Sequence, residues 1–325
     1  MIHPSVLLLL GFLLGTLTGF FGVGGGWLLT PALNILGLPM VSAIGTGFLT
    51  LTGNALYAAI RHHRLGNVDV KLGIIMGIFS CAGVEAGKSL VFHLERANLA
   101  GTYVRLAYMV LMLIISLSML RESLCYRKTH REEERGGKAT EQGRISGLAQ
   151  RMYRIGLPPR ISLPRSGVNS ISLWVIIASG VLIGFFSGFM GIGGGLLGLS
   201  LLIYVIGVPT ISAVGTSLVV VLIISCYGTG VFGLGGYVEW IPALILLAGS
   251  LGGVRLGVYA TRYMTGMKIR VLFALMVLAV AVSVCLKQIN MATISSYLVM
   301  SAACALCLAI LLPSAKNCFR KAERP

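Results

Sequence analysis

Uncharged apolar runs of about 20 residues recur along the whole chain, and each is long enough to cross a hydrocarbon core of about 30 Å as a helix. Composition agrees with this pattern, because 56% of the 325 residues are hydrophobic, only 11% are charged and the mean hydropathy is +0.90. A soluble domain carries about 25% charged residues. The chain is therefore predicted to be an all-α polytopic membrane protein.

A glycine motif interrupts these runs twice. The segment GFFGVGGGWLLT occupies 19–30, and a second version, GFMGIGGGLLGL, occupies 188–199. The match continues downstream, where SAIGT at 42–46 returns as SAVGT at 212–216. The chain therefore contains a duplicated unit. The predicted divisions are a first transmembrane repeat at 1–120, a linker at 121–170, a second repeat at 171–286, and an extra C-terminal helix with its tail at 287–325.

Each repeat is predicted to contain a helical pair broken by glycine, followed by three transmembrane helices. The segments after the breaks, 26–37 and 195–207, hold about a dozen residues. At 1.5 Å per residue they reach only ~18 Å, which is too short for a full crossing. Each broken pair is therefore predicted to be a re-entrant hairpin with its turn near the middle of the membrane.

The distribution of basic residues predicts opposite orientations for the two repeats. In the first half, basic residues flank the loop at 61–71. In the second half, the loop that corresponds to 61–71 has no basic residues, and they lie instead one helix later, at 262–270. By the positive-inside rule these loops are cytoplasmic, together with the linker and the C-terminus. Inverted-topology repeats of this kind are typical of transporters.

The linker at 121–170 differs in character from the rest of the chain. It carries 11 of the 26 Lys and Arg residues, together with a run of glutamates. Two interpretations stay open. It is either a solvated cytoplasmic loop with a surface helix around 141–156, or a basic segment that contacts anionic lipid headgroups or a soluble partner.

The glycine breaks indicate an anion site. A non-helical turn inside the membrane persists only where protein or a polar cavity surrounds it. Glycine permits positive φ, and the following half-helix presents free amides and the positive end of its dipole. The predicted ligands are the amides of Gly24, Gly25, Gly26, Gly193, Gly194 and Gly195. The alternative is that these glycines only allow close helix packing.

Five further side chains are candidates for this site. Thr46 and Thr216 recur in matched Gly-Thr steps, so their hydroxyls are candidate anion donors or are bonded back to their own helices. Asn54 is polar within an apolar run. Arg255 is an intramembrane cation that binds substrate or extends to the interface. Glu85 is a coupling candidate or an intrahelical partner of Lys88.

Several functions have no support in the sequence. There is no P-loop, no H-E-x-x-H and no convincing Ser/His/Asp set, and the seven cysteines show no metal-ligand pattern. We therefore predict no enzyme activity, no cofactor and no metal. The net charge of +16 lies largely in loops and the tail, so it needs no nucleic-acid partner.

The repeated motifs resemble the TauE/SafE membrane proteins, often described as sulfite and organosulfonate exporters. The residues that carry the resemblance include Gly22 to Gly26, Ala43 to Thr46, Gly66 to Asp69, Ser187 to Gly195, Ala213 to Thr216 and Gly236 to Trp240. The resemblance implies a bacterial inner-membrane exporter of small sulfur-containing anions such as sulfite, thiosulfate or organosulfonates, coupled to protons or sodium.

The sequence therefore predicts a gradient-driven transporter that works by alternating access around a central anion site. Two alternatives stay open. One is an anion channel. The other is a membrane subunit that scaffolds a soluble enzyme of sulfur metabolism through the linker at 121–170.

Overall fold

The computed structural model describes residues 4–133, 158–163, 168–261, 264, 266–288, 291, 294, 297–298 and 300–310. The first half consists of α1 (Pro4–Phe21), α2 (Gly26–Ile35), α3 (Met40–Arg64), α4 (Val70–Arg96) and α5 (Ala100–Glu133). The second half consists of α6 (Leu173–Met190), α7 (Gly195–Leu201), a π-helical turn (Leu202–Ile206), α8 (Thr210–Leu234), α9 (Trp240–Thr261) and α10 (Gly266–Gln288). A further apolar helix, α11, covers Met300–Ile310.

Within the described ranges, seven helices are long and apolar enough to cross a membrane. They are α1, α3, α4, the first part of α5, α6, α8 and α9. The all-α polytopic fold predicted from the sequence is confirmed by this set. Helix α2 has only 10 residues, which is about 15 Å of helix, so it is too short to cross.

Helix ends follow local chemistry at several points. Asp69 precedes α4 and its Oδ1 accepts the amide of Leu72 at 3.1 Å, which satisfies one of the free donors of the first turn. Pro39 and Pro209 stand immediately before α3 and α8, where a proline needs no amide partner. Gly37 and Gly207 lie just after α2 and the π-helical turn, with φ of 105° and 81°.

The two halves interlock. The first helix of each half packs along the fourth helix of the other, so that α1 lies on α9 and α6 lies on α4. Small residues make this contact very close, since a Cβ on Gly15 would lie 2.1 Å from the carbonyl oxygen of Ser250 and one on Gly184 would lie 1.9 Å from that of Ser80. These helical glycines, which lie outside the two glycine motifs, therefore allow close helix packing.

The equivalent helices α3 and α8 pack against each other in opposite directions. Gly45, near the start of α3, lies against Phe232 near the end of α8, while Gly215, near the start of α8, lies against Asn67 just beyond α3. Equivalent helices run antiparallel when the pseudo-two-fold axis lies in the membrane plane. This direction supports inverted repeats, and the orientation of each half in a membrane stays a prediction.

The predicted linker differs from the expected loop. Helix α5 continues through residue 120 as far as Glu133, because the charged residues after 120 have good helix propensity. Further along, β1 (Arg160–Leu163) and β2 (Val168–Ser172) form an antiparallel pair that the all-α prediction did not include. The predicted surface helix around 141–156 and the C-terminal tail after 310 lie largely or wholly outside the described residues.

Candidate functional site

The two glycine turns have the same backbone conformation. In the first, Gly22, Gly24 and Gly25 have φ of 70°, 76° and 84°. In the second, the equivalent residues 191, 193 and 194 have φ of 72°, 70° and 74°. Such angles favour glycine, as the sequence predicted. Gly25 and Gly194 are the N-cap residues of α2 and α7, and neither helix start is capped by a side chain.

The turns lie against each other in the centre of the molecule. A Cβ on Gly26 would lie 2.8 Å from the carbonyl oxygen of Gly191, and a Cβ on Gly195 would lie 1.9 Å from that of Val23. All six glycines predicted as anion ligands are buried. The structure therefore brings the two predicted halves of the anion site together, with the positive ends of two short helices side by side.

Apolar side chains close the sides of these turns. Leu51 of α3 lies beside both, since its Cδ2 is 3.3 Å from a Cβ placed on Gly24 and its Cδ1 is 2.4 Å from one placed on Gly193. Val221, the equivalent residue of α8, covers Gly24 from the other side. In this conformation apolar side chains of α3 and α8 therefore lie against the glycine turns.

Two hydroxyls beside the turns were missed by the sequence analysis. Thr18 and Ser187 occupy equivalent positions, and their carbonyl oxygens accept the amides of Gly22 and Gly191 at 2.9 and 2.7 Å. Both side chains are fully buried, and within the described residues neither hydroxyl has a hydrogen-bond partner. Thr18 Oγ1 lies 2.8 Å from a Cβ placed on Gly25.

An unpartnered buried hydroxyl is costly, because it has lost water without gaining another partner. Because two such groups recur at equivalent positions in the described residues, they are candidates for binding a ligand beside the turns. The available sequence signal was the recurrence of a hydroxyl residue four positions before Gly22 and Gly191.

Thr46 and Thr216 each make a contact that the sequence analysis did not predict. The hydroxyl oxygen of Thr46 accepts the amide of Glu239, and that of Thr216 accepts the amide of Asp69, each at 3.0 Å. These bonds join the two halves reciprocally at the loops that precede α9 and α4. Neither of the two interpretations proposed for these residues anticipated this contact, and their role as anion donors stays a proposal.

Asn54 lies in the interface between α3 and α9. It is buried, and its Oδ1 accepts a short hydrogen bond from the hydroxyl of Ser250 on α9. The same hydroxyl is 2.8 Å from the carbonyl oxygen of Leu247. The structure thus gives Asn54 a packing role between α3 and α9.

Glu85 forms the intrahelical pair that was one of its two interpretations. Its carboxylate contacts the ammonium group of Lys88, three residues later on α4. It also accepts a hydrogen bond of 3.0 Å from the hydroxyl of Tyr227 on α8. The carboxylate therefore has partners from both halves.

Arg255 lies in a separate cavity, away from the glycine turns. This cavity has a volume of about 340 Å³ and lies between the end of α3 and the second half of α9. Arg61 and Arg64 line it together with Arg255, and its remaining described walls are apolar or tyrosine. No group of three or more His, Cys, Asp or Glu residues suited to a metal occurs in the described part of the chain.

Comparison with known proteins connects this architecture to membrane transport. The family model described as Sulfite exporter TauE/SafE matches residues 7–284. The chain is 28% identical over 268 residues to the probable membrane transporter protein YunE of Bacillus subtilis (strain 168), which covers 80% of this chain and 89% of the relative.

A probable membrane transporter protein of Xylella fastidiosa (strain 9a5c) is 29% identical over 279 residues, covering 84% and 92% of the two chains. The similarity to the probable membrane transporter protein MJ0441 of Methanocaldococcus jannaschii is 26% over 198 residues, covering 59% and 58%. No solved structure matches the chain.

Proposed function

The chain belongs to the sulfite exporter TauE/SafE family, and on that premise we propose that it exports a small sulfur-containing anion, such as sulfite, thiosulfate or an organosulfonate, from a bacterial cell. One observation carries the proposal. Two glycine turns of equal conformation begin two short helices side by side, and each lies next to a buried hydroxyl that has no partner among the described residues.

The anion would be held by donors rather than by a full opposite charge. The amides at the starts of α2 and α7 point to the space beside the turns, and their helix dipoles favour negative charge there. Thr18 and Ser187 add one hydroxyl donor each. A site built from neutral donors binds an anion without an ion pair that would have to be broken at release, which suits a carrier.

Transport would follow the displacement of the apolar shell. Leu51 and Val221 cover the turns from equivalent helices, α3 and α8. We propose that a small movement of one half against the other withdraws these side chains alternately, so that the turns open first to one side and then to the other. The inner membrane is the expected location, with the linker and the C-terminus in the cytoplasm.

Coupling to a proton gradient is proposed for Glu85. Its carboxylate holds Lys88 and Tyr227 when ionised, and protonation would weaken both contacts. If this is correct, Glu85→Gln removes the acceleration of flux by an imposed pH gradient and leaves exchange of anion against anion intact. Unchanged acceleration would eliminate Glu85 and leave sodium as the coupling ion to test.

The decisive experiment is flux of radiolabelled sulfite into liposomes that contain the purified protein. Thiosulfate, organosulfonates, sulfate and chloride serve as competitors, under imposed pH, sodium and voltage gradients. We expect saturable uptake that a subset of the sulfur anions blocks. Conductance without saturation would instead support a channel.

Absence of protein-dependent flux would favour the scaffold function. Deletion of the linker then separates the cases, because a scaffold loses its cellular function with it whereas an exporter keeps its flux.

A further inference from the structure

The arginine cavity beside α3 and α9 has no role in the site described above. We propose that it is a second anion-binding site, which takes the multiply charged oxyanion group of a small solute before that solute reaches the glycine turns. The identity of the solute rests on the proposed export function, whereas the existence of the site does not.

The charge of the cavity is the first argument. Arg61, Arg64 and Arg255 are its only charged lining residues among those described, and they come from both halves of the chain. No carboxylate in the described residues forms an ion pair with any of them. Three guanidinium groups around one cavity repel one another, and an oxyanion relieves that repulsion while accepting their hydrogen bonds.

The geometry of Arg61 is the second argument. Its Nη2 donates to the hydroxyl of Tyr57 at 2.7 Å, and its guanidinium carbon lies 4.9 Å from the centre of the Tyr57 ring. The ring thus fixes the guanidinium plane. The Nε atom is buried and has no hydrogen-bond partner in the described structure, so the guanidinium keeps one unsatisfied donor.

The position of the cavity is the third argument. His62, adjacent to Arg61, has its Nε2 2.9 Å from the carbonyl oxygen of Gly19, three residues before the first glycine of the turn. Gly19 also packs against the backbone of Val254, next to Arg255. The cavity wall therefore contacts the end of α1 that leads into the glycine turn. The positive-inside distribution predicts that the end of α3, which lines the cavity, is on the cytoplasmic side, where an exporter collects its substrate.

The volume fits a small hydrated solute. A cavity of about 340 Å³ is at the lower end of the range for small-molecule sites, about 300 to 1,000 Å³. The same chemistry would also suit the phosphate of an anionic lipid, since the cavity opens near one end of two membrane-length helices. The experiment therefore has to distinguish a free oxyanion from a lipid headgroup.

Chemical protection of the arginines tests the site without any measurement of transport. The full-length protein, in nanodiscs of phosphatidylcholine, is treated with an arginine-selective dicarbonyl, and modification of each arginine is followed by mass spectrometry. Sulfate is the probe, because sulfite would add to the reagent. Chloride at matched ionic strength is the control for electrostatic screening, which is then equal in both samples. Arg96, exposed at the end of α4 and outside the cavity, is the internal control.

We expect sulfate to slow the modification of Arg61, Arg64 and Arg255 together, with one half-protecting concentration, and to leave Arg96 unchanged. Arg255→Gln should raise the half-protecting concentration at the other two by about tenfold, because one charge-assisted hydrogen bond is lost. The substitution replaces an exposed side chain, so folding should be kept.

Two outcomes would overturn the proposal. One is protection of the three arginines no greater than that of Arg96. The other is protection by phosphatidylglycerol nanodiscs alone with no further effect of sulfate, which would assign the cavity to a lipid headgroup. Protection without sulfite flux in liposomes would keep the site and remove the export function, and flux without protection would do the reverse.

Discussion

Two equivalent regions of the two halves differ in charge. One lies between the end of α3 and α9, and the other lies between the end of α8 and α4. Arg61 and Arg64 at the end of α3 correspond to Val231 and Leu234 at the end of α8. Opposite them, Arg255 on α9 corresponds to Glu85 on α4. Three basic residues at one place therefore correspond to two apolar residues and one carboxylate at the other.

Two equivalent tyrosines contact residues of opposite charge. Tyr57 and Tyr227 are equivalent, and each contacts a charged partner. The Tyr57 hydroxyl accepts a hydrogen bond from Arg61, whereas the Tyr227 hydroxyl donates one to Glu85. The same side chain thus supports a cation at one end and a carboxylate at the other.

The charge difference between the two regions is relevant to the direction of anion transport. A scaffold with two equivalent halves, packed by reciprocal contacts, treats both sides of the membrane alike. Any preference for one side has to come from residues that break the equivalence. If the arginine cavity binds anions as proposed, it attracts them at one end only, because the carboxylate at the equivalent place, Glu85, is paired with Lys88. The charge pattern would then favour binding at the arginine end.

Substitution of the turn glycines tests the part of the molecule in which the halves are alike. We expect Gly25→Ala and Gly194→Ala each to reduce sulfite flux at least roughly a hundredfold, because both residues have positive φ and both face crowded space. A new Cβ would lie 2.8 Å from Thr18 Oγ1 in the first case and 2.6 Å from Ile224 Cδ1 in the second. Flux and monodispersity of the purified variants are measured together.

The chain offers a matched control for this experiment. Gly66 and Gly236 have φ of 75° and 76°, but no atom lies within 4 Å of a Cβ placed on either. Alanine there introduces the same backbone strain without the crowding, so these variants should keep most of their flux. Comparable losses at all four positions would show that strain alone is responsible and would remove the glycine site. A loss in only one of the two turns would break the equivalence of the halves.

Removal of the two hydroxyls should have a smaller effect on flux than the glycine substitutions. It should weaken sulfite binding without lowering stability. We expect Thr18→Val and Ser187→Ala each to raise the half-saturating concentration of sulfite by about tenfold, the value of one hydrogen bond to a charged group. Stability should be unchanged or increased, because each substitution removes a buried polar group that lacks a partner. Thermal unfolding and flux are compared for each variant.

The opposite combination would contradict this role. If Thr18→Val lowers the unfolding temperature and leaves the half-saturating concentration unchanged, the hydroxyl stabilises the fold and does not bind substrate. Thr52, whose hydroxyl lies 3.2 Å from that of Thr229, is a control for removal of a partnered hydroxyl and should lose stability without change in affinity.

The helices could be predicted from the sequence because membrane-length apolar runs end at charges, glycines or prolines. The segments predicted at 26–37 and 195–207 are found as Gly26–Ile35 and as Gly195–Leu201 with the π-helical turn Leu202–Ile206. The continuation of α5 to Glu133 was missed, because the charged residues after 120 were interpreted as a solvated loop although they favour helix.

The partners of the polar side chains could not be predicted in the same way. The bond between the Thr46 hydroxyl and the Glu239 amide joins residues 193 positions apart, and no local pattern contains it. Whether the Thr18 hydroxyl has a hydrogen-bond partner among the described residues depends on which groups pack around it, and the sequence does not show that packing. Arg255 was correctly singled out as a cation, but its neighbours Arg61 and Arg64 were interpreted only as determinants of orientation.

Neutralising Arg255 tests whether the charge difference gives direction. We expect Arg255→Gln to raise the half-saturating concentration several-fold when sulfite is presented at the arginine end, and to leave it unchanged when sulfite is presented at the other end. Proteoliposomes of uniform orientation, loaded on one side at a time, give the two values. Equal changes on both sides would indicate that Arg255 acts on the central site, and the two ends would then not differ in function.

The smallest effect is expected at the equivalent position, Glu85. The pair with Lys88 lies near the protein surface, and surface ion pairs contribute about 1 kcal/mol or less. Glu85→Gln should therefore change the free energy of unfolding by less than about 1 kcal/mol, and the half-saturating concentrations on either side by less than about twofold. The double variant with Lys88→Gln should have nearly the same free energy of unfolding as the single variant, because neither side chain of the pair is deeply buried.

This prediction separates Glu85 from Arg255 even though the fold treats them as equivalents. Arg255 would contribute to a binding cavity, whereas Glu85 would hold two neighbours and affect transport only through its proton. A loss of several kcal/mol on Glu85→Gln would instead mean that the contact with Tyr227 joins α4 to α8 as a structural element. The charge difference between the two ends would then reflect the stability of one half, and the preferred direction of transport would have to originate elsewhere.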